Sequence, residues 1–201
     1  MSTGLHIYID VDDVLAQTTR SIQRMAARMF GTPVEFEEMH TFDLAESLAL
    51  SPGEYDALMD AAHDHDFLTS LEPMSGSAGI VSHWQAAGAR IGIVTGRPPS
   101  AREATECWLE MHAIPFDDLD FVDKYGRYDD AGALSLQALG GRAYQLAIED
   151  SIDVAAHLAT LSGTSVALFD RPWNQSRETL PEGVTRVHSW LEIEAIAQRL
   201  G

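Results

Sequence analysis

Cysteine and lysine each occur once in this 201-residue chain, as Cys107 and Lys124. A single cysteine excludes an internal disulfide, and no Cys/His cluster offers a zinc site. No apolar run approaches the ~18 residues that a membrane-spanning helix needs. The N-terminal stretch passes directly into a short strand-like run, without a charged region followed by a longer apolar one. With the unpaired cysteine, this gives cytoplasmic placement as the expectation. Basic residues are scarce overall: 13 Lys plus Arg stand against 31 Asp plus Glu, a formal net charge of -18. Such a surface repels nucleic acid polymers and anionic membranes. A phosphorylated partner must therefore be small, and a cation should help to hold it. No Gly-x-Ser-x-Gly elbow and no phosphate-loop lysine is present, nor does Gly-x-Gly-x-x-Gly follow the first apolar run.

The 45% of hydrophobic residues suffice for one sizeable core, with or without a small insertion. Short β-branched runs at Leu5–Val11, Arg90–Thr95, Tyr144–Ile148 and Ser165–Phe169 read as buried strands, with a shorter one around Leu119–Val122. Helical patterns at Ala78–Ala87, Ala101–His112 and Ile152–Leu161 alternate with them. That alternation predicts an α/β fold, a three-layer Rossmann-like core with a mostly parallel sheet. Between the first two strands, residues 18–72 read as helices and turns. Ile22, Met25, Ala26 and Met29 keep helical spacing, and Ser51 stands ready to cap a helix opened by Pro52. The predicted organisation is a helical cap, 18–72, inserted into a core made of 1–17 and 73–201, with Leu71–Gly76 as the hinge back.

Open α/β sheets bind ligands at the carboxyl ends of their strands. The first run ends in Asp10-Val11-Asp12, whose two carboxylates share a side of the strand. The second ends in Thr95-Gly96-Arg97, and the strand at 144–148 runs into Glu149-Asp150. Asp10 would attack phosphorus, and Asp12 would protonate the leaving oxygen and later deprotonate water. Thr95 and Gly96 would bind a phosphoryl oxygen. Lys124, the one candidate for any role that demands an ammonium, would neutralise charge on the phosphoryl group and on Asp10. Asp150 would join the crowded carboxylates around an oxygen-liganded magnesium ion. Arg97 either contacts the substrate or pairs on the surface. Glu149-Asp150 also suits a helix N-cap. His63 and His65, two apart, read as polar surface residues, His188 and Trp190 as packing, and Trp173-Asn174 as a structured loop near the site. Phe42 is a candidate for stacking on a base, with burial inside the cap as the plainer expectation.

Taken in order, Asp10-x-Asp12-x-Val14-Leu15, Ile93-Val94-Thr95-Gly96, a lysine and Ala147-Ile148-Glu149-Asp150 resemble the four motifs of the haloacid dehalogenase-like phosphatases. The resemblance implies Asp10 as nucleophile, Asp12 as general acid/base, and Mg²⁺ held by Asp10, the Asp12 backbone carbonyl and Asp150, with Glu149 behind or acting through water. Phe67–Gly76, Leu168-Phe169 with Asn174-Gln175, and His188-Ser189-Trp190 are similar to the 5'(3')-deoxyribonucleotidases. That implies hydrolysis of nucleoside monophosphates, with the cap helping to select the base. Alternatives are a phosphatase for another small metabolite, or a metal- and phosphate-binding protein without catalysis. Two departures stand out. Lys124 and Asp150 are far apart with Gly-rich sequence between, which places the lysine on a loop reaching in. Position 149 is Glu where an aspartate pair is common.

Overall fold

In the computed structural model, residues 4–31, 33–126, 132–161, 163–175 and 179–201 are described. Seven strands form one parallel sheet: β1 (His6–Asp10), β2 (Arg90–Thr95), β3 (Asp118–Asp123), β4 (Leu134–Ser135), β5 (Leu146–Glu149), β6 (Ser165–Phe169) and β7 (Val184–Val187). Their spatial order is β4-β3-β2-β1-β5-β6-β7. The chain thus leaves β1 towards one edge and returns to its other side at β5. This reversal opens a crevice at the carboxyl ends of the central strands.

Alternation sorts the strand side chains between two layers. Ile7 and Ile9, Ile91 and Ile93, and Leu146 and Ile148 face a core closed by α5 (Ser77–Ala86), α6 (Arg102–Met111) and α8 (Trp190–Leu200). Tyr8, Val94, Val122, Ala147, Val166 and Leu168 face the opposite layer, closed by α7 (Ile152–Ala159) and the 3-10 turn at Leu136–Gly141. With both faces covered, the inner strands read as continuous apolar runs.

The expected strand at Tyr144–Ile148 begins later, at Leu146. Tyr144 is buried beside it and packs edge-on against Tyr8, with ring centroids 5.5 Å apart. The weaker run near Leu119 is a full strand, β3. The sequence patterns did not reveal β4, β7 or α8.

The insertion after β1 consists of α1 (Thr18–Phe30), α2 (Leu44–Ser47), α3 (Pro52–Ala62) and α4 (His65–Thr69), with a 3-10 turn at Phe36–Glu38. α1 buries Thr18, Ile22, Met25 and Ala26 on one face and stops at Gly31, whose φ of 73° suits a residue without a Cβ. α3 starts in a capping box between Ser51 and Glu54, with Pro52 in its first turn. Ile22, Met25, Ala26, Phe36, Met39, Leu48, Leu58 and Ala62 form an apolar cluster of their own, which Trp173 joins from beyond β6. Leu68 and Leu71 instead join the main core, and α4 packs against α6.

The outgoing and returning segments run side by side. Gln17 N–H donates to Glu72 O at 2.9 Å and Met74 N–H to Leu15 O at 2.6 Å. Trp108 Nε1 donates to Leu71 O at 2.8 Å, and Trp190 Nε1 to Val14 O at 3.0 Å. Two buried indoles thus satisfy backbone carbonyls in the crossing region.

Candidate active site

The same alternation that divides the core also assembles the site. Asp10 follows Tyr8 by two residues, Lys124 follows Val122, and Glu149 follows Ala147, so all three continue the layer of Tyr8 at the carboxyl ends of their strands. Lys124 Nζ lies 2.9 Å from Asp10 Oδ1 and also bonds Glu149 Oε1. Lys124 comes directly after β3, so its distance in sequence from Asp150 does not require a loop reaching in from elsewhere.

Glu149 is fully buried and fully engaged. Tyr8 Oη donates to its Oε1 at 2.7 Å, alongside Lys124. Its Oε2 accepts the N–H groups of Asp150 and Ser151 at 3.0 and 3.1 Å. Both oxygens are committed, so Glu149 acts as a brace for Lys124. Asp150 Oδ2 accepts Trp173 Nε1 at 3.0 Å. Asn174 Nδ2 donates to the carbonyls of Asp150 at 2.8 Å and Phe169 at 2.7 Å, tying the loop after β6 to the site.

Asp12 is held differently. Arg97 Nη2 and Nε donate to its Oδ1 at 2.7 and 3.1 Å, and Thr18 Oγ1 donates to the same oxygen at 2.6 Å. Arg97 is 3% exposed, and its Nη1 donates to Thr105 Oγ1 at 3.1 Å. Surface pairing, one of two expectations for Arg97, is therefore corrected: the guanidinium is buried on Asp12. Thr95 lies behind the site, fully buried, and its hydroxyl accepts the Arg97 N–H at 3.2 Å. A Cβ at Gly96 would meet Lys124 Cδ at 3.5 Å, so the small residue keeps that flank open beside the ammonium.

Charge is unevenly compensated. Desolvation pushes the Asp10 carboxyl well above the ordinary range, with the charges of Glu149 and Asp12 adding to it and Lys124 opposing. Desolvation does the same to Asp150, helped by Glu149, Asp10 and Asp13. Burial acts on Asp12 too, but Arg97 and Thr18 outweigh it and hold that carboxyl below its usual value. Desolvation works against the Lys124 ammonium, but Asp10 and Glu149 prevail and keep it charged.

Asp10, Glu149 and Asp150 each offer an oxygen within 4.8 Å of the others. Asp10 Oδ1 is buried without an aligned hydrogen-bond donor. An all-oxygen, carboxylate-rich set whose negative charge exceeds the charge of the one ammonium beside it fits a hard divalent cation such as Mg²⁺.

Asp10, Asp12, Gly96, Arg97, Lys124 and Asp150 form the floor of one cavity. Its walls come from the insertion: Ile22, Met39, Thr41, Phe42, Leu44, Tyr55, Met59 and His63. Phe42 is not buried inside the cap, as the plainer expectation had it. It is 39% exposed, and its ring lies 5.1 Å from that of Tyr125 in the core. His63 also lines the cavity instead of the outer surface, whereas His65 is exposed beside Asp66. His188 is exposed and Trp190 buried, the latter consistent with packing.

Sequence reasoning passed over Tyr8, Asp13, Thr18 and Tyr125. Tyr8 carried a usable signal, standing two residues before the nucleophile candidate on the same strand face. Asp13 adopts a left-handed φ of 58° and is buried, bonded to Thr19 by its side chain and to Arg171 by its carbonyl. Nothing local in the sequence announces that turn.

Residues 4–129 match the family described as 5' nucleotidase, deoxy (pyrimidine), cytosolic type C protein. A Chlorobaculum tepidum protein named as a candidate 5'(3')-deoxyribonucleotidase is 30% identical over 124 residues, covering 58% of this chain and 61% of that protein. The chain thus matches about three fifths of the length of that curated relative. Among solved structures, a haloacid dehalogenase-like hydrolase from Streptococcus pneumoniae superposes with a TM-score of 0.64 at 16% identity, covering 98% of this chain and 99% of the other. A magnesium-bound haloacid dehalogenase-like hydrolase of Bacillus subtilis gives 0.59 at 14% identity, covering 98% and 99%. A Deinococcus radiodurans hydrolase with bound phosphate and sodium gives 0.58 at 15% identity, covering 100% and 98%. At these identities the structural matches establish the fold alone.

Proposed function

Since the chain belongs to the deoxy (pyrimidine) 5'-nucleotidase family of cytosolic type C and has the haloacid dehalogenase-like fold, we propose that it is a magnesium-dependent phosphomonoesterase acting on nucleoside 5'-monophosphates. The observation that carries this reading is the convergence of Asp10, Asp12, Lys124 and Asp150 at one cavity floor. Asp10, the Asp12 backbone carbonyl and Asp150 would hold Mg²⁺, which when bound would offset charge on the phosphoryl oxygens.

An Asp10 carboxylate oxygen forms a bond to phosphorus as the bond from phosphorus to the leaving oxygen breaks. Asp12, ionised at rest, passes a proton brought in by the phosphate monoanion to that oxygen, releasing the nucleoside. Water then attacks the aspartyl-phosphate, Asp12 takes its proton, and the Asp10–phosphorus bond breaks to release phosphate. Lys124 opposes the effect of burial on Asp10 and steadies the phosphoryl charge, and Gly96 orients the group, with Thr95 behind it holding the Arg97 N–H. Residues 18–72 serve as a cap over a core of 1–17 and 73–201, and cap closure would limit access of bulk water.

The walls favour a nucleoside over other leaving groups. Among the described lining residues the full cations are Arg97 and Lys124, which Asp12 and the Asp10–Glu149 pair already engage. A carboxylate or a second phosphate on the leaving group would meet no free cation there, whereas a base and sugar would meet Phe42, Tyr55, Met39 and Met59. The net charge of -18 argues against nucleic acid polymers, and cytoplasmic placement is part of the same proposal. Phosphate release from a panel of nucleotides, sugar phosphates and phosphoglycolate, with Mg²⁺ and with chelator, tests it. Magnesium-dependent release favouring nucleoside monophosphates supports the reading. A flat profile would instead favour a general small-metabolite phosphatase, and magnesium binding without turnover a non-catalytic binder.

A further inference from the structure

The two oxygens of Asp12 have unequal surroundings. Oδ1 accepts from Thr18 Oγ1 at 2.6 Å, Arg97 Nη2 at 2.7 Å and Arg97 Nε at 3.1 Å. Oδ2 accepts a single bond, the other branch of the Arg97 Nε donor, at 3.2 Å. The Asp12 side chain is 29% exposed towards the cavity, whereas that of Arg97 is 2% exposed. The guanidinium is itself immobilised. Nη1 donates to Thr105 Oγ1 at 3.1 Å, and the Thr105 hydroxyl donates to Ala101 O at 2.9 Å one helical turn back. The Arg97 N–H bonds Thr95 Oγ1 at the end of β2. A planar fork held from behind sets both the position and the plane of a carboxylate in front of it.

We propose that Arg97 is the positioning residue for Asp12, and that with Thr18 it fixes Oδ1 and leaves Oδ2 as the oxygen that exchanges the proton. A carboxyl protonated on Oδ2 still accepts at Oδ1, so the clamp holds in both halves of the reaction. The proposal rests on the reading of Asp12 as general acid/base. It assigns Arg97 to the acid instead of to the substrate phosphate.

The test uses leaving groups. An alkyl ester such as a nucleoside 5'-monophosphate needs its departing oxygen protonated, and p-nitrophenyl phosphate does not. Because kcat/KM reports the first phosphoryl transfer, Arg97→Gln should lower it about 10- to 100-fold for the nucleotide, as expected for a misplaced catalytic group. The loss for p-nitrophenyl phosphate should be only a few-fold. Arg97→Lys, which keeps the charge and removes the fork, should fall between. In an Asp12→Asn background, Arg97→Gln should change kcat/KM for the nucleotide no further. Competitive inhibition by inorganic phosphate should be unaltered.

Equal losses for both esters with weaker inhibition by phosphate would overturn the proposal and make Arg97 a phosphate ligand. No loss, or an additive loss in the Asp12→Asn background, would also overturn it. If Asp12→Asn alone retained full activity on the nucleotide, the acid–base reading would fall and the proposal with it. A crippled Asp12→Asn beside an unselective Arg97→Gln would sink only the proposal. Should Arg97→Gln fail to fold, Thr105→Val removes only the brace on Nη1. It should show the same selectivity in smaller measure, and an unselective result there counts against the proposal.

Discussion

Lys124 neutralises two buried carboxylates at once, and its side chain is only 2% exposed. Removing one partner of a buried ion pair leaves an uncompensated charge, which typically costs ~3–5 kcal/mol. Lys124→Met should therefore destabilise the fold by about that much as well as stopping turnover, with the loss read as a lower midpoint in urea. A midpoint within error of the parent would mean that Asp10 and Glu149 find relief elsewhere. The proposed nucleophile and the proposed acid separate more cleanly. Asp10→Asn should abolish both turnover and the acid-stable burst of covalently bound phosphate. Asp12→Asn should lower kcat by ~10²–10⁴-fold while retaining magnesium binding, since only its backbone is assigned to the metal. Rapid-quench and calorimetric measurements distinguish the two. Asp12→Asn with undiminished kcat would remove the acid–base assignment.

Helix α3 and the loop before α2 carry much of the cavity wall. Phe42 meets Tyr125 across the cavity mouth, ring to ring at 5.1 Å, joining the insertion to the residue beside Lys124. Phe42→Ala should raise KM for a nucleotide several-fold and leave kcat/KM for a small alkyl phosphate nearly unchanged, because only the larger leaving group reaches that pair. Equal effects on both would show that the ring positions the cap and not the base. Ser51 caps α3, and Ser51→Ala should cost about 0.5–2 kcal/mol, seen first as faster amide exchange in α3. Elements such as these differ in how plainly their sequence announces them. β1, β2 and β6 are buried on both faces, so their apolar runs are unbroken, and the helix at Pro52 carries its own cap. β4 has two residues, both exposed, and β7 alternates weakly at the sheet edge, so neither leaves a hydrophobic signature. The carboxylates at the cavity floor could be located because strand ends can be located. The Arg97–Asp12 clamp could not, because it joins residues 85 apart through side-chain geometry that no local pattern encodes.

Across the molecule the acidity of the chain concentrates its cost at one place. Asp10, Asp13 and Asp150 are buried at the crevice with raised proton affinity, that of Asp13 lifted to about 6, mainly by desolvation. A carboxyl whose folded pKa exceeds its unfolded value binds protons more readily when folded, so stability falls as pH rises from the unfolded value towards the folded one. For Asp13 that window runs from 3.8 to about 6, and Asp10 and Asp150, raised in the same direction, add to the same fall. His6 acts in the opposite sense. Desolvation lowers its pKa from 6.5, so its contribution rises with pH up to 6.5 and is then constant. Lys124, raised from 10.5 by its two carboxylates, contributes fully throughout the neutral range. In the Asp13 window three buried carboxyls act against one imidazole, so the metal-free protein should lose stability as pH rises through it. Magnesium binds the ionised carboxylates in competition with protons and stabilises the folded state by mass action. Saturating Mg²⁺ should therefore raise Tm more at about pH 6.5 than at about pH 5, with no substrate present. Lower Tm at the higher pH without metal, restored by Mg²⁺, is the expected pair of scans. A shift that is equal at both pH values would mean that the ion binds away from these carboxylates, and Asp150→Asn, which should abolish the shift, identifies the ligand directly.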